Sequence, residues 1–321
     1  MSGEVPPSAA AGQPATPRPR VAVLLATYNG MPYLPEQVES ILAQDGVDVR
    51  IIVSDDGSRD GSYEWLVERA TADPRIVLLP RIAPSGGSAA NFYRLVRDAR
   101  LDDGELAAFA DQDDVWLPHK LRTQLGLMAA TGADAVSGNV TAFWPDGRER
   151  LLKKDYPQRR FDYLTQSPGP GCTFLMTPRF LELSREVLAT VPTAKDATFH
   201  DSLLYAIGRA RGWTWHIGSE PLVRYRQHGG NVMGANAGAA GARARLGLMS
   251  SRWHREQAVI HAQAGIPVAP EATRIELERM IDLLVGGGLR RRLALARLAG
   301  QLRRRPRDRA IIWALIVTGV W

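Results

Sequence analysis

The chain has 321 residues, of which 45% are hydrophobic and 23% are charged, a composition typical of a globular protein. Its formal net charge is +6, but nine arginines and one aspartate fall within residues 289–309, so the rest of the chain is slightly acidic. This distribution argues against nucleic-acid binding by the main part of the chain.

The N-terminal residues and the single cysteine indicate a cytoplasmic protein. Five prolines and no apolar run occur in residues 1–20, which predicts a disordered leader rather than a secretory signal. Cys172 alone cannot form an intrachain disulfide, and this favours a reducing compartment. No stretch reaches the roughly 20 apolar residues that a spanning helix requires.

Between residues 21 and 133, short apolar runs alternate with helical patterns. Strands are predicted at 21–26, 49–54, 76–79 and 106–110, and helices from Pro32, at 62–70, at 89–99 and from Pro118. Such alternation with short connections is typical of an α/β domain with a Rossmann-like, mostly parallel sheet and flanking helices.

The pattern becomes less regular after residue 133. Short strands are predicted at 135–137, 140–144, 172–176, 213–217 and 222–225, and helices at 178–188 and 200–211. A Gly/Ala-rich linker is predicted at 237–243, before helices at 244–263 and 271–285. We therefore expect a catalytic domain at 21–235, with halves 21–133 and 134–235, and a basic helical extension at 236–321.

Three predicted strands end in polar clusters, namely Thr27-Tyr28-Asn29-Gly30, Asp55-Asp56-Gly57-Ser58 and Asp111-Gln112-Asp113. Ligands of open α/β sheets bind beyond the carboxyl ends of the strands, so these clusters predict one site. Two aspartates two positions apart suit Mg²⁺ or Mn²⁺, which often completes its shell with phosphate oxygens. A solvated acidic loop is the alternative. The first cluster lacks the Gly-x-Gly-x-x-Gly of dinucleotide sites, and no P-loop sequence occurs.

These clusters, followed by Pro118, resemble family 2 inverting glycosyltransferases of the glycosyltransferase A fold. Residues 109–116, His200-Asp201 and residues 225–231 are similar to bacterial rhamnosyltransferase-like members. The resemblance covers about residues 21–232. It implies transfer of a sugar, with rhamnose favoured, from a dTDP- or UDP-linked donor. The acceptor would be a hydroxyl of a cell-surface polysaccharide or lipid-linked glycan, such as lipopolysaccharide O-antigen.

The resemblance also implies a role for each matched residue. Those assigned to the donor nucleotide are Thr27, Tyr28, Asn29, Asp55, Asp56, Asn91 and Asp111. Those assigned to Mg²⁺ or Mn²⁺ are Asp111, Asp113 and His228, with Arg226 at the pyrophosphate. Those assigned to the acceptor or sugar are Gly171, Thr173 and His200, with Asp201 as the catalytic base.

Simpler interpretations of several of these residues remain open. Asp201 would also suit a helix N-cap, His228 a surface or core position, and the loop before Thr173 a rigid turn. Two other functions are a sugar-phosphate nucleotidyltransferase and a non-catalytic nucleotide-sugar-binding scaffold. The first would show Gly-x-Gly-x-Arg-Leu after the first strand, which is absent. Loss of Asp113 or Asp201 would have favoured the second, but both are present.

The segment 289–321 combines clustered arginines with leucines and a terminal tryptophan. This composition favours peripheral contact with the anionic inner face of the cytoplasmic membrane. The alternative is a pair of helices docked on the main domain or on a partner chain.

Overall fold

The computed structural model of the protein describes residues 17–228 and 252–321. The linker predicted at 237–243, the first residues of the helix predicted at 244–263 and most of the predicted leader lie outside the described residues. The boundary predicted near residue 235 lies there too.

Most predicted elements are present, some with the predicted bounds and others with bounds that differ by one to a few residues. The strands are β1 Arg20–Thr27, β2 Asp48–Asp55, β3 Ile76–Leu78, β4 Leu106–Ala110, β5 Val115–Trp116, β6 Ala135–Gly138, β7 Val140–Phe143, β8 Glu149–Leu152, β9 Leu175–Met176, β10 Trp215–Gly218 and β11 Val223–Arg226. The helices are α1 Leu34–Leu42, α2 Ser62–Ala72, α3 Ser88–Asp98, α4 Lys120–Thr131, α5 Pro178–Thr190, α6 His200–Arg211, α7 Trp253–Gly265, α8 Glu271–Val285, α9 Leu289–Leu302 and α10 Pro306–Thr318.

The larger sheet confirms the predicted α/β class. Its strand order is β10-β6-β9-β4-β1-β2-β3, and β9 alone runs antiparallel to its neighbours. The central strand β1 is buried along nearly its whole length, which explains its continuous apolar sequence. In the β1–β2 register Thr27 lies opposite Asp55, and in the β1–β4 register Leu25 lies opposite Ala110. The polar residues that follow these strands therefore share one edge.

A second sheet, of order β5-β11-β7-β8, was not predicted as such. In it β11 pairs antiparallel to β5 and parallel to β7, which carries residues 226–228 to the Asp113-Asp114 turn. The strand predicted at 172–176 is wrong in its first half, because Gly171–Thr173 forms a 3-10 turn. The Thr173 N–H and hydroxyl both donate to the Pro170 carbonyl oxygen, which closes that turn.

The C-terminal helices dock on the main domain, as the alternative interpretation of this segment proposed. Inward-facing residues of α9 and α10, including Leu295, Leu302 and Ile316, are buried in the same apolar cluster as Phe109. On the outer face, Leu293 and Trp313 are 42% and 52% exposed. Within the described ranges, no helix combines the length and apolar composition needed to cross a bilayer.

Candidate active site

The loop after β1 is fastened by Gln112, the middle residue of the Asp-Gln-Asp motif. Its Oε1 accepts hydrogen bonds from the Thr27 hydroxyl at 2.8 Å and the Tyr28 N–H at 2.7 Å, and its Nε2 donates to the Tyr28 carbonyl oxygen at 3.0 Å. A Cβ atom on Gly30 would lie 2.4 Å from Gln112 Oε1, so a side chain at position 30 would displace the end of Gln112 and disturb these hydrogen bonds. This arrangement leaves the Tyr28 side chain 54% exposed at the sheet edge.

Asn29 and Asp55 hold the first two loops together. Asn29 adopts a left-handed backbone conformation with φ 48°, its N–H donates to Ser58 Oγ at 2.9 Å, and its Oδ1 accepts from the Arg59 N–H at 2.9 Å. Asp55 Oδ1 accepts from the Gly57 and Ser58 N–H groups, each at 3.1 Å. The buried Asp55 Oδ2 has no partner among the described residues, which leaves one acceptor for a ligand.

Asp56 and Asn91 lie at the same edge but differ in their free hydrogen-bonding capacity. Asp56 Oδ1 accepts from the Ser85 N–H, and its second carboxylate oxygen remains for a ligand. The buried Asn91 amide donates to the Thr27 and Ser54 carbonyl oxygens at 3.2 and 3.0 Å and accepts from Ser54 Oγ at 2.5 Å. Direct contact between Asn91 and the donor, expected from the sequence, does not fit this placement, because its amide ties β1 to β2 beneath the site.

Carboxylates from two distant parts of the chain, Asp111 and Asp113 in one and Asp201 in the other, come near one another beyond β4. Burial, together with the nearby charges of Asp113 and Asp201, raises the pKa of Asp111 to about 8. Burial also raises the pKa of Asp201, against the opposing effects of the Lys154 ammonium and neighbouring hydroxyls. Asp201 lies in the first turn of α6, whereas the N-cap position belongs to Phe199, so Asp201 is not the N-cap residue.

The second sheet brings His228 and Arg226 to the Asp-x-Asp motif. His228 Nε2 lies 2.7 Å from Asp113 Oδ2, and the His228 ring stacks on Tyr33 with centroids 4.9 Å apart. Arg226 Nε donates to the Asp113 carbonyl oxygen at 2.9 Å, and its N–H donates to Asp114 Oδ1 at 3.1 Å. The structure thus brings Asp113 together with His228 and Arg226, three of the residues that the sequence assigned to the metal and the pyrophosphate.

Beneath this motif lies a buried polar group that the sequence did not reveal. Potential ligand atoms of Asp111, Asp114 and Cys172 lie within 4.8 Å of one another. Burial and nearby carboxylates raise the pKa of both Asp114 and Cys172, and burial lowers the pKa of Lys120 to about 7. Asp114 and Cys172 are fully buried and a thiol poorly suits a hard cation, so Asp111 and Asp113 are better placed for Mg²⁺ or Mn²⁺.

The residues expected at the acceptor or sugar lie largely behind the surface. Thr173 is 2% exposed and donates its hydroxyl to Pro170, so it closes a turn. The His200 ring stacks on Phe92 with centroids 3.7 Å apart, and burial lowers the pKa of His200 to about 3. A Cβ atom on Gly171 would lie 2.1 Å from His200 Nε2. The Thr173 hydroxyl is therefore engaged within the turn, whereas His200 Nε2 is buried and has no hydrogen-bond partner among the described residues.

Solved structures with a similar architecture identify the fold. S. aureus TarS in complex with UDP-GlcNAc matches with a TM-score of 0.56 at 15% identity, over 94% of this chain and 80% of that chain. A mannosyltransferase from Pyrobaculum calidifontis, in complex with GDP-Man and Mn²⁺, matches with a TM-score of 0.50 at 20% identity, over 94% and 86%. The fold is that of the glycosyltransferase A enzymes.

Sequence comparison then gives the family. The Glycosyl transferase family 2 model matches residues 22–189, and the chain belongs to this family of sugar transferases. The dTDP-rhamnosyl transferase RfbG of Shigella flexneri is 32% identical over 299 residues, which are 92% of this chain and 100% of that protein. The Escherichia coli UDP-Glc:alpha-D-GlcNAc-diphosphoundecaprenol beta-1,3-glucosyltransferase WfgD is 26% identical over 162 residues, 50% of this chain and 61% of that protein. The resemblance inferred from the motifs is confirmed.

Proposed function

We propose that the protein is a metal-dependent, inverting rhamnosyltransferase that acts on dTDP-rhamnose and a lipid-linked glycan during synthesis of a bacterial surface polysaccharide. The effect of both Asp113 and Asp201 on the pKa of Asp111 supports this proposal, because it indicates that one candidate base lies near a pair of potential metal ligands. The dTDP-rhamnosyl relative supports the donor. The diphosphoundecaprenol-linked substrate in the name of the E. coli relative supports the acceptor class.

The carboxylate pair fits a divalent cation. The pKa of Asp111 is raised by burial and by like charges, a situation that bound Mg²⁺ or Mn²⁺ would relieve. Asp113 and Asp111 would hold the cation, with His228 beside Asp113 and Arg226 facing the pyrophosphate. Bound there, the cation supplies charge neutralisation for the leaving diphosphate.

The remaining side chains can bind the nucleotide and accept a proton. The exposed Tyr28 ring offers a face on which the base can stack, and the free Asp56 oxygen can accept a base N–H. The Asp201 carboxylate takes the proton of the acceptor hydroxyl as that oxygen attacks opposite the diphosphate, which inverts the anomeric carbon. Burial makes Asp201 a stronger base, while Lys154 favours its ionised form.

The outer face of the extension supports peripheral contact with the inner face of the cytoplasmic membrane. This face comprises Leu289, Leu293, Trp313, Arg290 and Arg297. All five side chains are exposed, with Leu289 at 60%. Basic residues beside apolar ones suit an anionic bilayer surface. Such contact would bring the active site near a lipid-linked acceptor.

Release of nucleoside diphosphate from dTDP-rhamnose, dTDP-glucose and UDP-glucose tests the proposal. With Mg²⁺ or Mn²⁺ we expect slow release of dTDP from dTDP-rhamnose by hydrolysis. Addition of a GlcNAc-diphospholipid should increase the rate of dTDP release, because the sugar is then transferred to this acceptor. Asp113→Asn should lower turnover on the order of 10²–10³-fold, because charge on the leaving group loses its stabilisation. Asp146→Asn, in an exposed turn, is the control.

Three outcomes would contradict parts of this proposal. Full turnover in saturating EDTA would exclude the metal requirement. Release of pyrophosphate from a nucleoside triphosphate would indicate a nucleotidyltransferase. Tight donor binding without any turnover would indicate a scaffold.

A further inference from the structure

Arg304, in the connection between α9 and α10, joins the extension to the main domain at a buried position. It is 3% exposed, and its Nη1 donates to Asp162 Oδ2 at 3.3 Å. Its Nη2 donates to the Ser167 carbonyl oxygen, and its backbone N–H donates to Gln166 Oε1 at 2.8 Å. The Arg304 side chain therefore binds both Asp162 and Ser167, which lie in the segment that precedes Gly171.

Asp162 links Arg304 to the helix that carries the proposed base. It is fully buried, and it also accepts hydrogen bonds from the Tyr205 hydroxyl at 3.0 Å and Arg209 Nη1 at 3.2 Å. Tyr205 and Arg209 lie on α6, which carries Asp201 in its first turn. A displaced Arg304 would leave the buried Asp162 with one guanidinium partner instead of two.

The loop at 165–171 lies between Arg304 and Asp201. Its first residue, Thr165, donates its hydroxyl to the Leu302 carbonyl oxygen on the extension. The Ser167 hydroxyl donates to the Gly169 carbonyl oxygen at 3.1 Å, and it lies near enough to Asp201 to oppose the effect of burial on the pKa of that carboxyl group. At the end of the loop, Gly171 packs against the His200 ring. The extension thus holds one end of a loop that also contains Ser167, near Asp201, and Gly171, beside His200.

We propose that Arg304 is a positioning residue for sugar transfer, which holds the loop at 165–171 and helix α6 so that Asp201 faces the acceptor hydroxyl. This inference rests on the proposed function, in which Asp201 is the base. Arginine suits the role because its planar fork reaches a carboxylate and a carbonyl oxygen together, whereas lysine offers one nitrogen. The extension is then part of the catalytic unit, although it lies beyond the region matched by the family model.

Arg304→Lys tests the proposal with the charge kept. The matched control is Arg307→Lys, an exposed arginine near the start of α10. We expect kcat for dTDP release from dTDP-rhamnose to fall about 10- to 100-fold, because a small displacement of a reacting group is costly, while KM for the donor stays unchanged. The Kd for dTDP should also match the wild type by calorimetry. An unchanged kcat, or a loss seen equally in donor affinity, would overturn the proposal.

A double-variant cycle separates positioning from general damage. If Arg304 acts through the loop, Ser167→Ala and Arg304→Lys should each lower kcat, and the double variant should be little worse than Arg304→Lys. Independent losses that multiply would refute the shared route. If Arg304→Lys does not fold, Ser167→Ala decides alone: a kcat loss at constant donor KM supports the proposal, and wild-type kcat refutes it.

Asp201→Asn, measured in the same assay, separates a failure of the proposed base from a failure of the positioning role of Arg304. If this variant keeps its turnover, the base assignment in the proposed function is wrong. If it is inactive while Arg304→Lys is fully active, only the positioning role of Arg304 fails.

Discussion

The proposed donor and acceptor halves of the candidate active site are built in different ways. On the donor side, β1 and β2 are eight residues each and pair along their full length, so the sheet itself brings Thr27 and Asp55 together. On the acceptor side, strands have two to four residues, and Asp201 depends on a buried network around Asp162 and on the C-terminal extension. Nucleotide binding should therefore withstand perturbations that impair transfer.

The sharpest separation of the two halves is expected from Asp201→Asn. Turnover of dTDP-rhamnose should fall roughly 10²–10⁴-fold, because the loss of a general base removes proton transfer from the transition state. Donor affinity should remain near the wild-type value, as measured by calorimetry with dTDP. Asp196→Asn, an exposed aspartate shortly before α6, is the control. Equal losses of turnover and affinity would mean that the two halves are not separable in this way.

Asp56→Ala should show the opposite pattern. We expect dTDP to bind more weakly by roughly 1–3 kcal/mol, since a base N–H loses its acceptor and the Ser85 N–H loses its partner. At saturating donor, kcat should stay close to that of the wild type. The control is Asp45→Ala on the exposed turn after α1. Unchanged affinity for dTDP would show that the base lies elsewhere.

The same contrast explains how much the sequence could predict. Continuous apolar strands followed by polar clusters correctly predicted which residues share one edge of the sheet, because that geometry follows from parallel pairing. The second sheet was missed, since β5 has two residues and β8 is mostly exposed. Nothing local marks Asp162 or Arg304 as partners, because they are 142 positions apart and meet only in the folded chain. The hydrogen bonds of Asn91 to Thr27 and Ser54 also form only in the folded chain, so the sequence predicts contact with the ligand instead of this structural role.

The outer face of the extension offers a smaller test. Leu293→Glu should weaken binding to phosphatidylglycerol vesicles about tenfold, because roughly 1.5 kcal/mol of apolar burial is lost. Val67→Glu on α2 is a matched control in the donor half, since Val67 is 43% exposed and Leu293 is 42% exposed. Hydrolysis of dTDP-rhamnose should be unaffected in both variants. Equal vesicle binding by both variants would refute the membrane contact.

Acid should act first on the acceptor side and the extension. Burial lowers the pKa of His261 to about 4, and burial with Arg303 nearby lowers that of His254 to about 4. Below the ordinary histidine pKa of about 6.5 the unfolded chain binds protons that the folded chain excludes. The free energy of unfolding therefore decreases as the pH is lowered. Each group contributes at most about 1.4 kcal/mol per pH unit, and the loss ends near the folded pKa.

Hydrogen exchange at pH 6.5 and 5.5 measures this effect. Amides of α6 and α7 should lose protection, while those of β1 and β2 change less. His261→Gln, which keeps an amide to bond the Leu164 carbonyl oxygen now contacted by His261, should flatten the pH dependence. A uniform loss across both halves would mean that the protein opens as one unit.

The Gln112–Gly30 contact has a consequence for altering donor choice. Because Gln112 fills the space that a side chain at position 30 would need, the two positions behave as one unit of substitution. A side chain at position 30 alone would displace the Gln112 amide, and a substitution of Gln112 alone would remove its hydrogen bonds to Thr27 and Tyr28. A shorter residue at 112 combined with alanine at 30 would be the smallest productive exchange. Gln112 lies between Asp111 and Asp113 in the sequence. A substitution of Gln112 that is meant to alter nucleobase binding would therefore also affect the two aspartates proposed to hold the metal ion at the diphosphate.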